Sequence, residues 1–93
     1  MGGGAPAAPR TAAITTHFLE DLQWWVATDP QVAWRILRLM EAVLRDPAHG
    51  IGKPELLRHL TPDTWSRRIT QEHRLVYRVN GTQIDFLQCR YHY

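Results

Sequence analysis

Ninety-three residues leave room for one small domain with a single core. Hydrophobic residues at 44% and charged residues at 22% are proportions of an ordinary globular protein and exclude a disordered chain. The single cysteine, Cys89, excludes an internal disulfide and a thiolate metal site, and no apolar run approaches the ~18 residues of a membrane span. One unpaired thiol fits a reducing, cytoplasmic setting. The formal net charge of +2 is too small to name a partner by itself.

In chain order, residues 1–10 are rich in Gly, Ala and Pro and read as a disordered leader, with the folded domain in 11–93. Thr11–Thr15 is short and weakly β-like. Thr16 can cap a helix over about His17–Ala27, with Phe18, Leu22 and Trp25 along one face. Asp29-Pro30 then starts a second helix, because proline is tolerated at a first helical position. Val32, Ile36, Leu39, Met40 and Val43 form its apolar stripe, and Asp46-Pro47 ends it. A helical hairpin of this kind needs a surface to cover.

That surface should be a sheet. Trp65–Thr70 and Arg74–Val79 are β-like, and Asn80-Gly81 is a strong hairpin signal. A two-residue Asn80-Gly81 loop pairs Val79 with Thr82, Tyr77 with Ile84 and Leu75 with Phe86, an apolar face for the helices. Arg74, Val76 and Arg78 then point to the other face. The same register sets Arg74 opposite Leu87, so His92 falls on the wrong side. For the two to converge, the last strand must bulge, or leave the sheet near Cys89 or Arg90.

Charge is unevenly spread. Residues 1–52 carry four basic and five acidic groups, whereas 53–93 carry seven basic (six of them Arg) and four acidic. Arginine forks onto phosphate and stacks on bases. The chain ends Arg90-Tyr91-His92-Tyr93, a set able to hold a phosphate, move a proton and stack.

Gly52-Lys53-Pro54-Glu55, Trp65-Ser66-Arg67-Arg68-Ile69, Glu72-His73-Arg74-Leu75-Val76-Tyr77 and the ending Arg90-Tyr91-His92-Tyr93 resemble the YoeB-type toxins of the RelE/ParE toxin–antitoxin superfamily. The likeness spans about residues 14–93, with its four blocks in order. It implies an α+β fold, two N-terminal helices on one face of a small twisted antiparallel sheet. It implies an endoribonuclease that cuts messenger RNA in the ribosomal A site, restrained by a YefM-like antitoxin and able to pair as a homodimer. Carried over residue by residue, it makes Glu55 the general base, Arg74 the phosphate-stabilising cation, His92 the general acid and Tyr93 the terminal aromatic. Leu56 and Arg58 depart from the usual proline and lysine without removing a reacting group.

Those residues suit metal-free cleavage, and neither metal nor cofactor is expected. A base takes the 2′-hydroxyl proton, a cation stabilises the phosphorane, and an acid protonates the departing 5′-oxygen. Each acid or base role contributes ~10²–10⁴-fold. Apolar surroundings would suit Glu55 as a base, and crowding arginines would oppose it. Lys53, Arg58, Arg67, Arg68 and Tyr91 are the candidate contacts to RNA or ribosome.

Plainer readings compete: a surface Glu55–Arg58 pair, solvated Arg67 and Arg68, structural His59 and His73, and a core Tyr91. Two other functions compete as well. One is a ParE-like toxin acting on DNA gyrase without nuclease chemistry. The other is a non-enzymatic nucleic-acid-binding module. Neither needs an acid–base pair.

Overall fold

The computed structural model describes residues 9–91. Most of the expected leader, and with it His92 and Tyr93, lies outside the described residues. The elements run β1 (Thr11–Ile14), α1 (Thr16–Thr28), α2 (Pro30–Arg45), β2 (Glu55–Leu56), β3 (Thr64–Arg68), β4 (Arg74–Asn80) and β5 (Gln83–Gln88). The sheet order is β1-β5-β4-β3-β2. Both helices cover one face of it, as expected. The sheet is mixed rather than wholly antiparallel, because β1 runs parallel to β5 with Ile14 beside Phe86.

Helix α1 begins one residue earlier than its sequence suggests. Thr15, not Thr16, is the cap, and its hydroxyl accepts from the Phe18 amide at 3.0 Å. Helix α2 starts at Pro30 and stops at Asp46, as the proline and aspartate signals imply. Phe18 and Trp25 from α1 meet Ile36, Leu39 and Val43 from α2 over Leu75, Tyr77, Ile84 and Phe86 of the sheet. Spacings of three, four and seven put the helical residues on one stripe, and alternation does the same for the strands. Arg10 donates to the Leu44 and Arg45 carbonyls at 2.8 and 2.9 Å, so it satisfies the open end of α2. Among the described residues no helix is long and apolar enough to cross a membrane.

The β4–β5 hairpin turns on Gly81-Thr82, one step later than expected. Asn80 pairs with Gln83, Val79 with Ile84 and Tyr77 with Phe86. Gly81 has φ +60, the left-handed value that favours glycine in this turn. Parity is unchanged, so the expected apolar face survives the shift. The register then slips between Tyr77 and Val76, and Val76 pairs with Gln88. Leu87 is therefore an extra residue, a β-bulge. The Thr15 hydroxyl donates to the Leu87 carbonyl at 2.9 Å, giving the bulged backbone a partner. Past the bulge Cys89 turns into the core with no exposed surface, instead of joining Arg74 on the outer face. The break required by the expected site is present.

Candidate active site

Glu55 and Arg74 enter the site from different elements. Gly50 to Pro54 form the approach to β2, with Gly52 at φ +85 and Lys53 at φ +53. A Cβ on Gly52 would lie 2.8 Å from Leu39 Cδ2, and the Gly52 carbonyl accepts the Arg68 amide at 2.6 Å. Only glycine fits there, because space and dihedral both refuse a side chain. The loop thus reaches Glu55, which pairs with Ser66 of β3. Register brings β4 alongside, with Ser66 beside Val76 and Arg68 beside Arg74.

Arg74 Nη2 donates to Glu55 Oε1 at 2.8 Å, and its Nε donates to the buried Ser66 hydroxyl at 3.2 Å. The guanidinium side chain is 16% exposed and the carboxylate 54%. One partner is therefore fixed by the sheet, and the other stands open to solvent. A planar cation held this way presents a fixed edge to an incoming phosphate.

The end of the described chain returns to the same place. Arg74 N–H donates to the Tyr91 carbonyl at 3.1 Å, and Tyr91 N–H donates to His73 Nδ1 at 2.7 Å. Upstream, Asp21 accepts the Cys89 amide at 3.0 Å and Trp25 Nε1 donates to the Cys89 carbonyl at 2.8 Å. Burial pushes the Cys89 thiol up to about 12, with Asp21 acting in the same direction. It is a packed, protonated thiol and no nucleophile.

The remaining sequence candidates divide. Lys53, Arg58 and Arg68 are exposed, and Tyr91 is 57% exposed. Arg67 requires a correction. It has no exposed surface, so it is not a contact for RNA or ribosome in this fold. Its Nε donates to the Tyr77 hydroxyl (3.1 Å), Nη1 to the Ile51 carbonyl (3.1 Å), and Nη2 to the Asp46 and His49 carbonyls (2.6 and 2.9 Å). The Tyr77 hydroxyl in turn donates to the Pro47 carbonyl at 2.6 Å. Neutral oxygens satisfy this buried cation, which ties the loop before Glu55 to the core. Strand alternation carried the signal: Trp65, Arg67 and Ile69 share a face. Sequence reasoning also gave Ser66 no role, though it sits two residues before Arg68 on the same outer face.

Fold and site together define a small α+β domain with a carboxylate–guanidinium pair at the sheet's open face. A family model described as "YoeB-like toxin of bacterial type II toxin-antitoxin system" matches residues 14–93. "Toxin YoeB" of Mycobacterium bovis is 50% identical over 74 residues, 80% of this chain and 87% of that protein. The solved "YoeB/ParE toxin from Agrobacterium tumefaciens" superimposes with a TM-score of 0.84 at 40% identity, covering 89% of this chain and 99% of that one. The Staphylococcus aureus YoeB-YefM heterotetramer gives a TM-score of 0.80 at 36% identity, covering 92% and 100%. This chain belongs to the YoeB-like toxins of bacterial type II toxin–antitoxin systems.

Proposed function

We propose that this toxin is a ribosome-dependent endoribonuclease that cleaves messenger RNA in the A site and so halts translation. The observation that carries the reading is the 2.8 Å pair between Arg74 and Glu55, beside the Tyr91 carbonyl from which the chain runs on to His92. A phosphate entering at Arg74 competes for the guanidinium and releases the Glu55 carboxylate. Glu55 then takes the proton of the 2′-hydroxyl as its oxygen attacks the adjacent phosphorus. Arg74 stabilises the charge on the phosphorane oxygens. The bond to the 5′-oxygen breaks, and His92 protonates that leaving group. The products are a 2′,3′-cyclic phosphate and a 5′-hydroxyl.

His92 and Tyr93 enter by family resemblance, Tyr93 as a stacking surface for a base. Exposed Lys53, Arg58 and Arg68 supply cationic contacts, and exposed Tyr91 a further aromatic one. A domain this small gains most from having the ribosome position the message, so free RNA should be cut slowly. The YefM partner of the Staphylococcus relative supports a YefM-like antitoxin as this chain's restraint, acting in the cytoplasm.

The test is end-group analysis of message from a translating extract. Cleavage at A-site codons leaving cyclic phosphate, lost in His92→Ala while ribosome binding is kept, is expected. Growth arrest undiminished with Glu55, Arg74 and His92 all changed to Ala would favour a target other than RNA, gyrase among them.

A further inference from the structure

Five side chains close a ring around the last described residues. Trp24 meets Trp25 edge-on at 4.9 Å, and Trp25 meets the His73 imidazole edge-on at 4.8 Å. His73 lies 5.1 Å from Tyr91. The Arg90 guanidinium sits 4.7 Å from the Tyr91 ring and 3.6 Å from the Trp24 ring, closing the circuit. Two members of the ring also bond the tail's backbone: Trp25 Nε1 donates to the Cys89 carbonyl at 2.8 Å, and His73 Nδ1, nearer the chain's end, accepts from the Tyr91 amide at 2.7 Å.

We propose that His73 is the positioning residue for the chain's end, an imidazole clamp that fixes where residues beyond Tyr91 start. The role rests on the nuclease reading, since it deepens that site.

Three observations support it. An amide N–H can only donate, so Nδ1 must carry the lone pair and the ring must be neutral with its proton on Nε2. The backbone that carries the imidazole is itself anchored: the His73 amide donates to the Thr70 hydroxyl, and its carbonyl accepts from the Ile69 and Thr70 amides. Tyr91 stands at φ +63, a left-handed conformation that a tyrosine keeps only where its surroundings dictate it. Yet Tyr91 is 57% exposed, so the arrangement buries little and does not serve the core. It turns the backbone instead, setting the Tyr91 carbonyl on the Arg74 amide while Arg74 holds Glu55. The clamp and the cation at the site, His73 and Arg74, are thus adjacent in the sequence.

Two substitutions separate acceptor from ring. His73→Asn offers an amide oxygen close to the Nδ1 position, whereas His73→Phe keeps an aromatic ring and removes the acceptor. Tyr91 amide hydrogen exchange and cleavage of translated message are read together. A chain end misplaced by an ångström costs about 100-fold in rate, so His73→Phe should lose that much cleavage, with ribosome binding kept and Tyr91 protection lost. His73→Asn should restore most of both. A Phe variant cleaving as fast as the unaltered chain, or an Asn variant no better than Phe, overturns the proposal. If the unaltered chain itself cuts no translated message, the nuclease reading fails separately. The clamp then stands or falls on whether Tyr91 protection disappears in His73→Phe. Ring-nitrogen NMR of the unaltered chain keeps the test open should that variant not fold. An Nε2–H tautomer is expected, and an Nδ1–H tautomer overturns the clamp.

Discussion

The loop before Glu55 and the tail before His92 reach the same residue, Arg74, one at its guanidinium and the other at its backbone amide, yet they are held in different ways. The loop is gripped from inside: a fully buried Arg67 binds three of its carbonyls, and Gly52 wedges against Leu39. The tail is anchored in the core only at Cys89, by single bonds from Asp21 and Trp25, and beyond it is held at the surface by one bond to His73 and a ring that includes an exposed tyrosine. The difference teaches that this fold ties the Glu55 carboxylate to global stability more tightly than it ties the last described residues. Damage to the loop should unfold the protein, whereas damage to the tail should silence it while folded.

The largest effect that would break this contrast is at Arg67. Arg67→Met removes a cation with four satisfied bonds and strands the loop carbonyls, at a cost of about 3 kcal/mol or more. For a chain of this size that lowers the thermal midpoint by roughly 15 °C, measured by calorimetry. Arg67→Lys should recover little, because the fork is lost. A midpoint near the unaltered value would mean the loop does not depend on its core anchor.

Gly52→Ala comes next. Its Cβ meets Leu39 Cδ2 at 2.8 Å with the backbone at φ +85, so overpacking and strain together should cost about 2 kcal/mol in denaturant titrations. A third effect lies in the tail, and it appears only at high pH. The Cys89 thiol is raised from its ordinary 9.0 to about 12 in the folded state. Folding therefore favours the protonated form, and the contribution is whole below pH 9 and fades as pH rises from 9 towards 12. Iodoacetamide at pH 8.5 should label Cys89 only after unfolding. Rapid labelling of folded protein would mean that the chain beyond the bulge opens far more readily than its Asp21 and Trp25 bonds imply.

Much of this architecture was legible beforehand, for identifiable reasons. The helices follow from apolar spacing and from Asp29-Pro30, signals local to the chain. The hairpin was legible in its faces but not in its turn, since Asn80-Gly81 and Gly81-Thr82 give the same parity. A break in the last strand was expected because unbroken alternation would separate Arg74 from His92, and the bulge at Leu87 is such a break. Two elements left almost no local trace. Strand β2 has two residues, and the parallel pairing of β1 to β5 is a long-range choice. Arg67 misled because arginine near other arginines suggests a phosphate surface. Its place between Trp65 and Ile69 on a strand says otherwise, and alternation outweighs residue type there. Nothing local to His73 indicates that it meets the backbone of Tyr91.

The most direct measurement is a double-mutant cycle between Glu55 and Arg74, read as single-turnover cleavage of message on the ribosome. Each Ala substitution should cost about 10²-fold or more, and the double should cost barely more than the worse single, because groups sharing one reacting phosphate fail together. Losses that simply multiply, or a Glu55→Ala variant that cleaves normally, would contradict the account.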